Sequence, residues 1–321
     1  MPENQNTNGE HWTKESVAIF NQLGWTQKGT TNFDIECSLH PNRKGQGHGI
    51  DSLFTYYDPY TQSEQGILVE SKCWQFRNIT AANIKKWFKQ ITECIECIQV
   101  SPSIQDLTSA PIKNAILMCW ANDEFEHEEF QKRLRAVKIR SKRYECNLFV
   151  ASNHEILKWC SLINTINKLK MESKDFKFLY PNVPTLGTNL VKANHISLIH
   201  LYSKYIFAQA KVVIPTYNGG TEIKDQLIVF SFEKTTMASL EFMYDMIKQL
   251  NLQDAHEYVF YLYERETAVR QIVGEFTTRV NQQISGDISN PSNVIIKYLD
   301  ILEGLTYVPD NIINLLEVKK P

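Results

Sequence analysis

No stretch of this 321-residue chain approaches the about 20 consecutive apolar residues that a membrane-crossing helix needs, which excludes a membrane-spanning protein. The first residues are polar, with neither a basic start nor an apolar segment behind it, so no secretory leader is expected. Bulk charge of one sign is missing as well. With 34 basic against 36 acidic residues and a net charge of -2, attraction to nucleic acid must come from local patches. Nor is there a disulfide framework. The 7 cysteines, at positions 37, 73, 94, 97, 119, 146 and 160, are scattered and odd in number, which points to reduced thiols in a cytoplasmic protein. Cys94 and Cys97 have C-x-x-C spacing but fall inside an amphipathic helical pattern with no second pair at ligand spacing, so no zinc site is expected. A phosphate-binding glycine loop is excluded too. The run Gly45-Gln46-Gly47-His48-Gly49 leads into a strand, whereas nucleotide-binding glycines follow a strand and open a helix.

What is present starts with size. The length favours two domains, and 43% hydrophobic residues are enough to bury both cores. The most specific text is Gly49-Ile50-Asp51-Ser52-Leu53-Phe54-Thr55-Tyr56-Tyr57, a turn-rich loop, and then Ile67-Leu68-Val69-Glu70-Ser71-Lys72-Cys73-Trp74. Both stretches have the β-branched and aromatic content of strands, and Asp58-Pro59 and Gly66 bracket the loop between them. Side chains alternate along a strand, so Glu70 and Lys72 point the same way as Leu68. An antiparallel hairpin brings Asp51, at the start of one strand, beside that pair near the end of the next.

These residue types suit phosphodiester hydrolysis. The substrate is an anion attacked by an anionic nucleophile, so catalysis rests on positioning and on neutralising charge at the phosphoryl oxygens. Two carboxylates offer hard oxygen ligands for Mg²⁺ or Mn²⁺, and such a cation lowers the pKa of a bound water. Lys72 is expected to orient or help deprotonate that water, with its own pKa pushed down by desolvation and the nearby metal. The competing reading is a solvent-facing Glu70–Lys72 pair on an edge strand, worth about 0–1 kcal/mol. The apolar run before Glu70, the Asp after Gly-Ile, and a preceding helix with an acid argue against it. That helix is read over Trp12–Leu23, with Thr13 as N-cap, and Trp12, Glu15, Ile19 and Leu23 fall on one side. Glu15 is either a third acid approaching the metal or a first-turn acid favoured by the helix dipole, and Glu10 competes for the role.

The order of helix with Glu15, strand with Ile50-Asp51, strand with Glu70-Ser71-Lys72 and a further helix resembles the PD-(D/E)xK, or restriction-endonuclease-like, nuclease superfamily over roughly residues 10 to 160. The resemblance implies an α/β fold: a mixed-sheet core flanked by helices. It implies that Asp51 and Glu70 bind the divalent metal and that Lys72 serves the attacking water. Two departures stand out. Ile50 takes the place of the nominal proline, and Gln90 lacks the tyrosine four residues later that accompanies such a glutamine in recombination-type branches; Cys94 stands there instead.

Candidate phosphate contacts are local. Seven bases crowd the twelve residues Lys132 to Arg143, among them Arg140, Lys142 and Arg143. Lys85, Lys86 and Lys89 surround Trp87 on the helix after the site, and Arg43 and Lys44 precede the glycine run at its mouth, where His48 reads as a plain loop histidine. Each cluster also has an ordinary reading as a solvated face or a complement to a helix C-terminus. Further on, Ile112–Trp120 and Asn147–Ala151 read as strands, and Phe125–Val137 and His154–Lys170 as helices. This sets a nuclease domain at 1–172, a charged and then Pro/Gly-rich linker at 173–190, and a second α/β domain at 191–321 for assembly or recognition. In that domain Gln226–Glu233 and Tyr258–Glu264 read as strands and Ser239–Leu250 and Thr267–Ile284 as helices, while Ile196–Tyr205 is left undecided.

The expected activity is a Mg²⁺-dependent DNA endonuclease. With no methyltransferase, helicase or target-recognition domain legible, target choice is assigned to another subunit, an arrangement that resembles effector nucleases of prokaryotic antiphage defence, and the expected partners are DNA, a further copy of the chain and/or a second subunit encoded nearby. The alternatives are a decayed nuclease fold acting as a DNA-binding scaffold, and a nuclease for RNA or junctions.

Overall fold

A computed structural model describes residues 2–41, 46–139, 143–180, 190–215, 218–250, 252, 255–263, 267–287 and 293–301. The chain divides into two compact units, 1–160 and 161–301.

The first begins with α1 (Pro2–Gln22), β1 (Thr26–Lys28), β2 (Phe33–Glu36), β3 (Gly47–Ile50), β4 (Ser52–Asp58) and β5 (Ser63–Trp74). Then come α2 (Ala81–Ile98), α3 (Pro102–Leu107), β6 (Ile112–Ala121), α4 (His127–Arg135), β7 (Asn147–Ala151) and the start of α5 (Asn153–Glu172). Five strands form one mixed sheet in the order β1-β4-β5-β6-β7. β1, β4 and β5 are antiparallel neighbours, whereas β5, β6 and β7 run parallel. Parallel strands need both faces covered, which explains the near-continuous apolar run Ala115–Ala121 in β6. On one face Leu53, Leu68, Leu117 and Cys119 pack with Ile84, Trp87, Ile91 and Ile95 of α2. The other face takes α1: Trp12 meets Trp120 at a tilt, 5.3 Å between ring centroids, and donates its indole N–H to the Met118 carbonyl at 3.0 Å, while Phe20 meets Phe54 and Trp159. The helix extends further toward the N-terminus than its apolar pattern suggests. Thr13 is therefore not a cap but an interior residue whose hydroxyl bonds the Gly9 carbonyl.

β5 and β6 pack tightly at Gly66, whose N–H bonds the Pro111 carbonyl at 2.9 Å where the register shifts. A Cβ there would run into Ile112 Cγ1. Gly66→Ala is expected to cost about 1–3 kcal/mol through overpacking, read as a lower urea midpoint at unchanged m-value.

The second unit contains the rest of α5, β8 (Lys174–Tyr180), β9 (Val191–Ala193), α6 (Leu198–Leu201), β10 (Tyr205–Pro215), β11 (Thr221–Ser231), α7 (Met237–Gln249), β12 (Glu257–Leu262), α8 (Thr267–Asp287) and β13 (Asn293–Tyr298). The undecided run Ile196–Tyr205 holds the short α6 and the first residue of β10. The segment read as a linker starts with β8, which pairs with β10 inside the second sheet. Its Phe176, Phe178 and Tyr180 are buried, but the interleaved Lys174, Asp175 and Lys177 obscure the alternation. Residues 181–189 lie outside the described set.

The strand plan of the two units is the same. In both, a helix leads into three successively antiparallel strands, and the third continues through helices into two parallel ones. β8-β10-β11-β12-β13 thus repeats β1-β4-β5-β6-β7, with β9 added beyond β8.

The imidazole of His200 lies flat against Tyr180, 4.7 Å between centroids, and burial lowers its pKa to about 4. A histidine kept neutral when folded but free to protonate when unfolded withdraws stability as pH falls from about 6.5 to 4, by up to about 3 kcal/mol. His200→Gln is expected to flatten the pH dependence of denaturant stability across that window.

Candidate active site

The expected strand around Asp51 is two strands with a bend between them. β3 pairs with β2 in a separate ribbon, β4 joins the main sheet, and Asp51 sits at the turn from one to the other. The bend lets its carboxylate reach across the sheet end, where Oδ2 accepts the Ser71 N–H at 2.7 Å. β5 delivers Glu70 and Lys72 on the Leu68 side, as strand alternation requires. The Lys72 ammonium donates to Glu70 Oε1 at 2.5 Å, lies 3.7 Å from Asp51 Oδ2, and contacts the Ser71 carbonyl at 3.3 Å. Asp51, Glu70 and Lys72 thus meet as expected.

All three line an open cleft of about 450 Å³. α2, capped by the Thr80 hydroxyl on the Asn83 N–H, forms one wall with Lys86, Trp87, Gln90 and Cys94; Trp74, His48 and Gly49 complete it. Gln90 and the cysteine at the tyrosine position therefore both face the site. The Trp74 ring stands edge-on to Trp87 at 5.1 Å.

The electrostatics follow from two acids and one base in a partly closed space. Burial raises the Glu70 carboxyl to about 7; Lys72 opposes that rise and Asp51 adds to it. Burial alone would lower Lys72, but Glu70 and Asp51 outweigh it and hold the ammonium above its ordinary pKa. The expected downward shift of Lys72 is thus reversed by the two carboxylates that face it. The donor set fits a hard divalent cation: two side-chain carboxylates converge on one point, and the ammonium already sits between them as counter-charge.

Glu15 does not join this set. α1 packs on the face opposite α2, and the Glu15 carboxylate acts on the buried Cys160 thiol of α5, so the shared stripe with Trp12 and Ile19 marks a helix–sheet contact. Among the basic candidates, Lys85, Lys86 and Lys89 are exposed on α2, Lys86 at the cleft wall and Lys89 paired with Glu93 at 3.6 Å. Arg143 donates to the Leu39 carbonyl at 2.8 Å, and its backbone N–H bonds Glu96. Arg133 of the same basic run caps the Phe76 and Ile79 carbonyls and lies over the Phe76 ring, a packing role. Arg43, Lys44, Arg140 and Lys142 lie outside the described residues.

The mixed sheet flanked by helices, with an acid at the hinge into its second strand and Glu-x-Lys on its third, is consistent with a PD-(D/E)XK nuclease fold. Residues 1–155 match a family model described as the PD-(D/E)XK nuclease domain of the GAPS4 protein, which belongs to an antiphage defence system. The match stays within the first half of the chain. No curated protein matches the sequence. Nucleases of this class generally use divalent metal ions.

Proposed function

We propose that the chain is a metal-dependent DNA endonuclease, the effector subunit of a prokaryotic antiphage system, in which the first unit cuts and the second serves assembly or recognition. The observation that carries this reading is the convergence of Asp51, Glu70 and Lys72 in one open cleft. Asp51 and Glu70 would hold Mg²⁺ or Mn²⁺, which when bound supplies charge for the phosphoryl oxygens and a more acidic water. The protein's part is positional. The Ser71 N–H fixes the Asp51 carboxylate, the sheet register fixes Glu70 beside it, and Lys72, held as an ammonium, orients the attacking water and offsets phosphoryl charge. Lys86 and the exposed bases of α2 flank the path of a polyanion into the cleft.

The second unit repeats the strand plan with other side chains at the corresponding positions. Following the α7-facing side of β11, Leu227 and Val229 are succeeded by Ser231 and then Glu233, and Glu233 pairs with Lys204, which precedes β10. Among the described residues, no acid pair with an adjoining lysine stands at that sheet end. Its β10–β11 hairpin instead exposes Val213 opposite Ile223, an apolar pair suited to a second copy or a subunit encoded nearby. No described helix is long and apolar enough to cross a membrane; a cytoplasmic site of action is part of the proposal.

The test is plasmid nicking with Mg²⁺, Mn²⁺ or EDTA, using wild type and Lys72→Ala, alone and with the product of the neighbouring gene. Metal-dependent cutting lost in the variant supports the reading. No cutting under any condition favours a scaffold on a nuclease fold, and preference for RNA or branched DNA over duplex redirects the substrate.

A further inference from the structure

We infer that Cys37, His40, His48 and Cys97 form a structural Zn²⁺ site, separate from the carboxylate centre, that clamps the β2–β3 ribbon to α2. One ligand atom from each of the four lies within 4.8 Å of the others. Cys37 Sγ and Cys97 Sγ are 3.9 Å apart, and each is 3.5 Å from His40 Nδ1. A tetrahedral zinc with Zn–S of about 2.3 Å and Zn–N of about 2.0–2.1 Å places its sulfurs about 3.8 Å apart and each sulfur about 3.5 Å from an imidazole nitrogen. The spacing of these three donors is therefore that of a filled tetrahedron, with a His48 nitrogen within 4.8 Å of each, and the sulfurs are far too distant for a disulfide, whose S–S bond is about 2.05 Å. Two thiols and two imidazoles are also the donor types that select zinc over the hard cations suited to Asp51 and Glu70.

The shell behind the ligands agrees. His40 turns its other nitrogen, Nε2, to the buried Glu96 carboxylate at 2.9 Å. Glu96 is itself held by the Arg143 N–H at 3.1 Å. A carboxylate behind an imidazole fixes the tautomer that leaves Nδ1 as a lone-pair donor, the arrangement that recurs around protein-bound zinc. The four ligands come from distant points: Cys37 and His40 follow β2, His48 lies in β3, and Cys97 is near the end of α2. One ion would join segments sixty residues apart in sequence. It would also fix the strand that hands over to Asp51 three residues after His48, on the wall of the cleft. The C-x-x-C spacing misleads because its two thiols part company: Cys94 faces the cleft and Cys97 faces this cluster.

Full-length protein grown with zinc, purified under reducing conditions and dialysed should carry about one zinc per chain by mass spectrometry of metals. Cys37→Ser and Cys97→Ser should lose it, while Cys94→Ser keeps it. Co²⁺ exchanged into the native protein should give the intense visible bands of tetrahedral coordination together with a thiolate charge-transfer band. Because ligand variants can misfold, wild type provides the second arm: a chelator should lower its melting temperature and open two cysteines to alkylation, both reversed by Zn²⁺ and not by Mg²⁺. Less than about a tenth of an equivalent of zinc after reconstitution, equal zinc loss in Cys94→Ser, or a Cys37–Cys97 disulfide in the native peptide map would overturn the inference.

Discussion

Asp51→Asn is expected to abolish metal-dependent cleavage while leaving the fold and DNA binding nearly intact. The amide is isosteric and its oxygen still accepts the Ser71 N–H, so the bond that fixes the bend between β3 and β4 survives. What disappears is one of the two negative charges that would hold the cation. Losing a single oxyanion donor costs about 10²–10³ in rate, and losing a ligand of the ion that carries most of the charge compensation should cost on the order of 10³ or more. Retained folding is read from an unchanged melting temperature without metal, and retained binding from a mobility shift in EDTA. Cleavage within about tenfold of wild type would mean that the metal is held elsewhere.

The part of this site that the sequence reveals is the part set by strand periodicity. Glu70 and Lys72 share a face because a strand alternates, and Asp51 reaches them because a short loop between two β-rich runs makes an antiparallel pair. Glu15 shows where that logic runs out. A helical stripe says which side of α1 is buried but not which face of the sheet it meets, and Trp12 docks α1 on the Met118 carbonyl, with the helix on the face opposite α2. The same limit conceals the cysteine and histidine cluster. Cys37 and His40 are near in sequence, but His48 belongs to the next strand and Cys97 to a helix brought back by the parallel β5–β6 crossover, so no spacing in the text announces them.

The repeated strand plan is hidden for a further reason. Topology is preserved by which strands pair, and a pairing pattern tolerates almost any apolar residue on the covered face. Leu68 in one unit and Leu227 or Val229 in the other do the same packing work. The polar positions beyond them do tell the units apart, Glu70 and Lys72 against Ser231 and Glu233, and these are positions where chemistry is placed. The second unit's first strand escapes notice as well, because Lys174, Asp175 and Lys177 give it the composition of a linker.

Lys72→Met should separate metal binding from catalysis. The ammonium bridges Glu70 and Asp51, in the charge-balancing position that a divalent cation would take. Removing it leaves two partly buried carboxylates facing each other. Because Lys72 is 21% and Glu70 13% exposed, and because Glu70 already sits near pKa 7 and can take up a proton, the penalty should be smaller than for a fully buried pair, about 1–3 kcal/mol. Added Mg²⁺ or Mn²⁺ then meets two acids without a competing cation, so the variant should bind metal at least as tightly as wild type and its melting temperature should rise more steeply with metal concentration. Cleavage, in contrast, should fall on the order of 10²-fold or more, since no remaining donor orients the water or offsets the phosphoryl charge. Thermal shift against metal concentration and single-turnover cleavage, measured on one preparation, separate the two effects. A smaller metal-induced shift than wild type would make Lys72 part of the metal's own support, and near-normal cleavage would remove it from the chemistry.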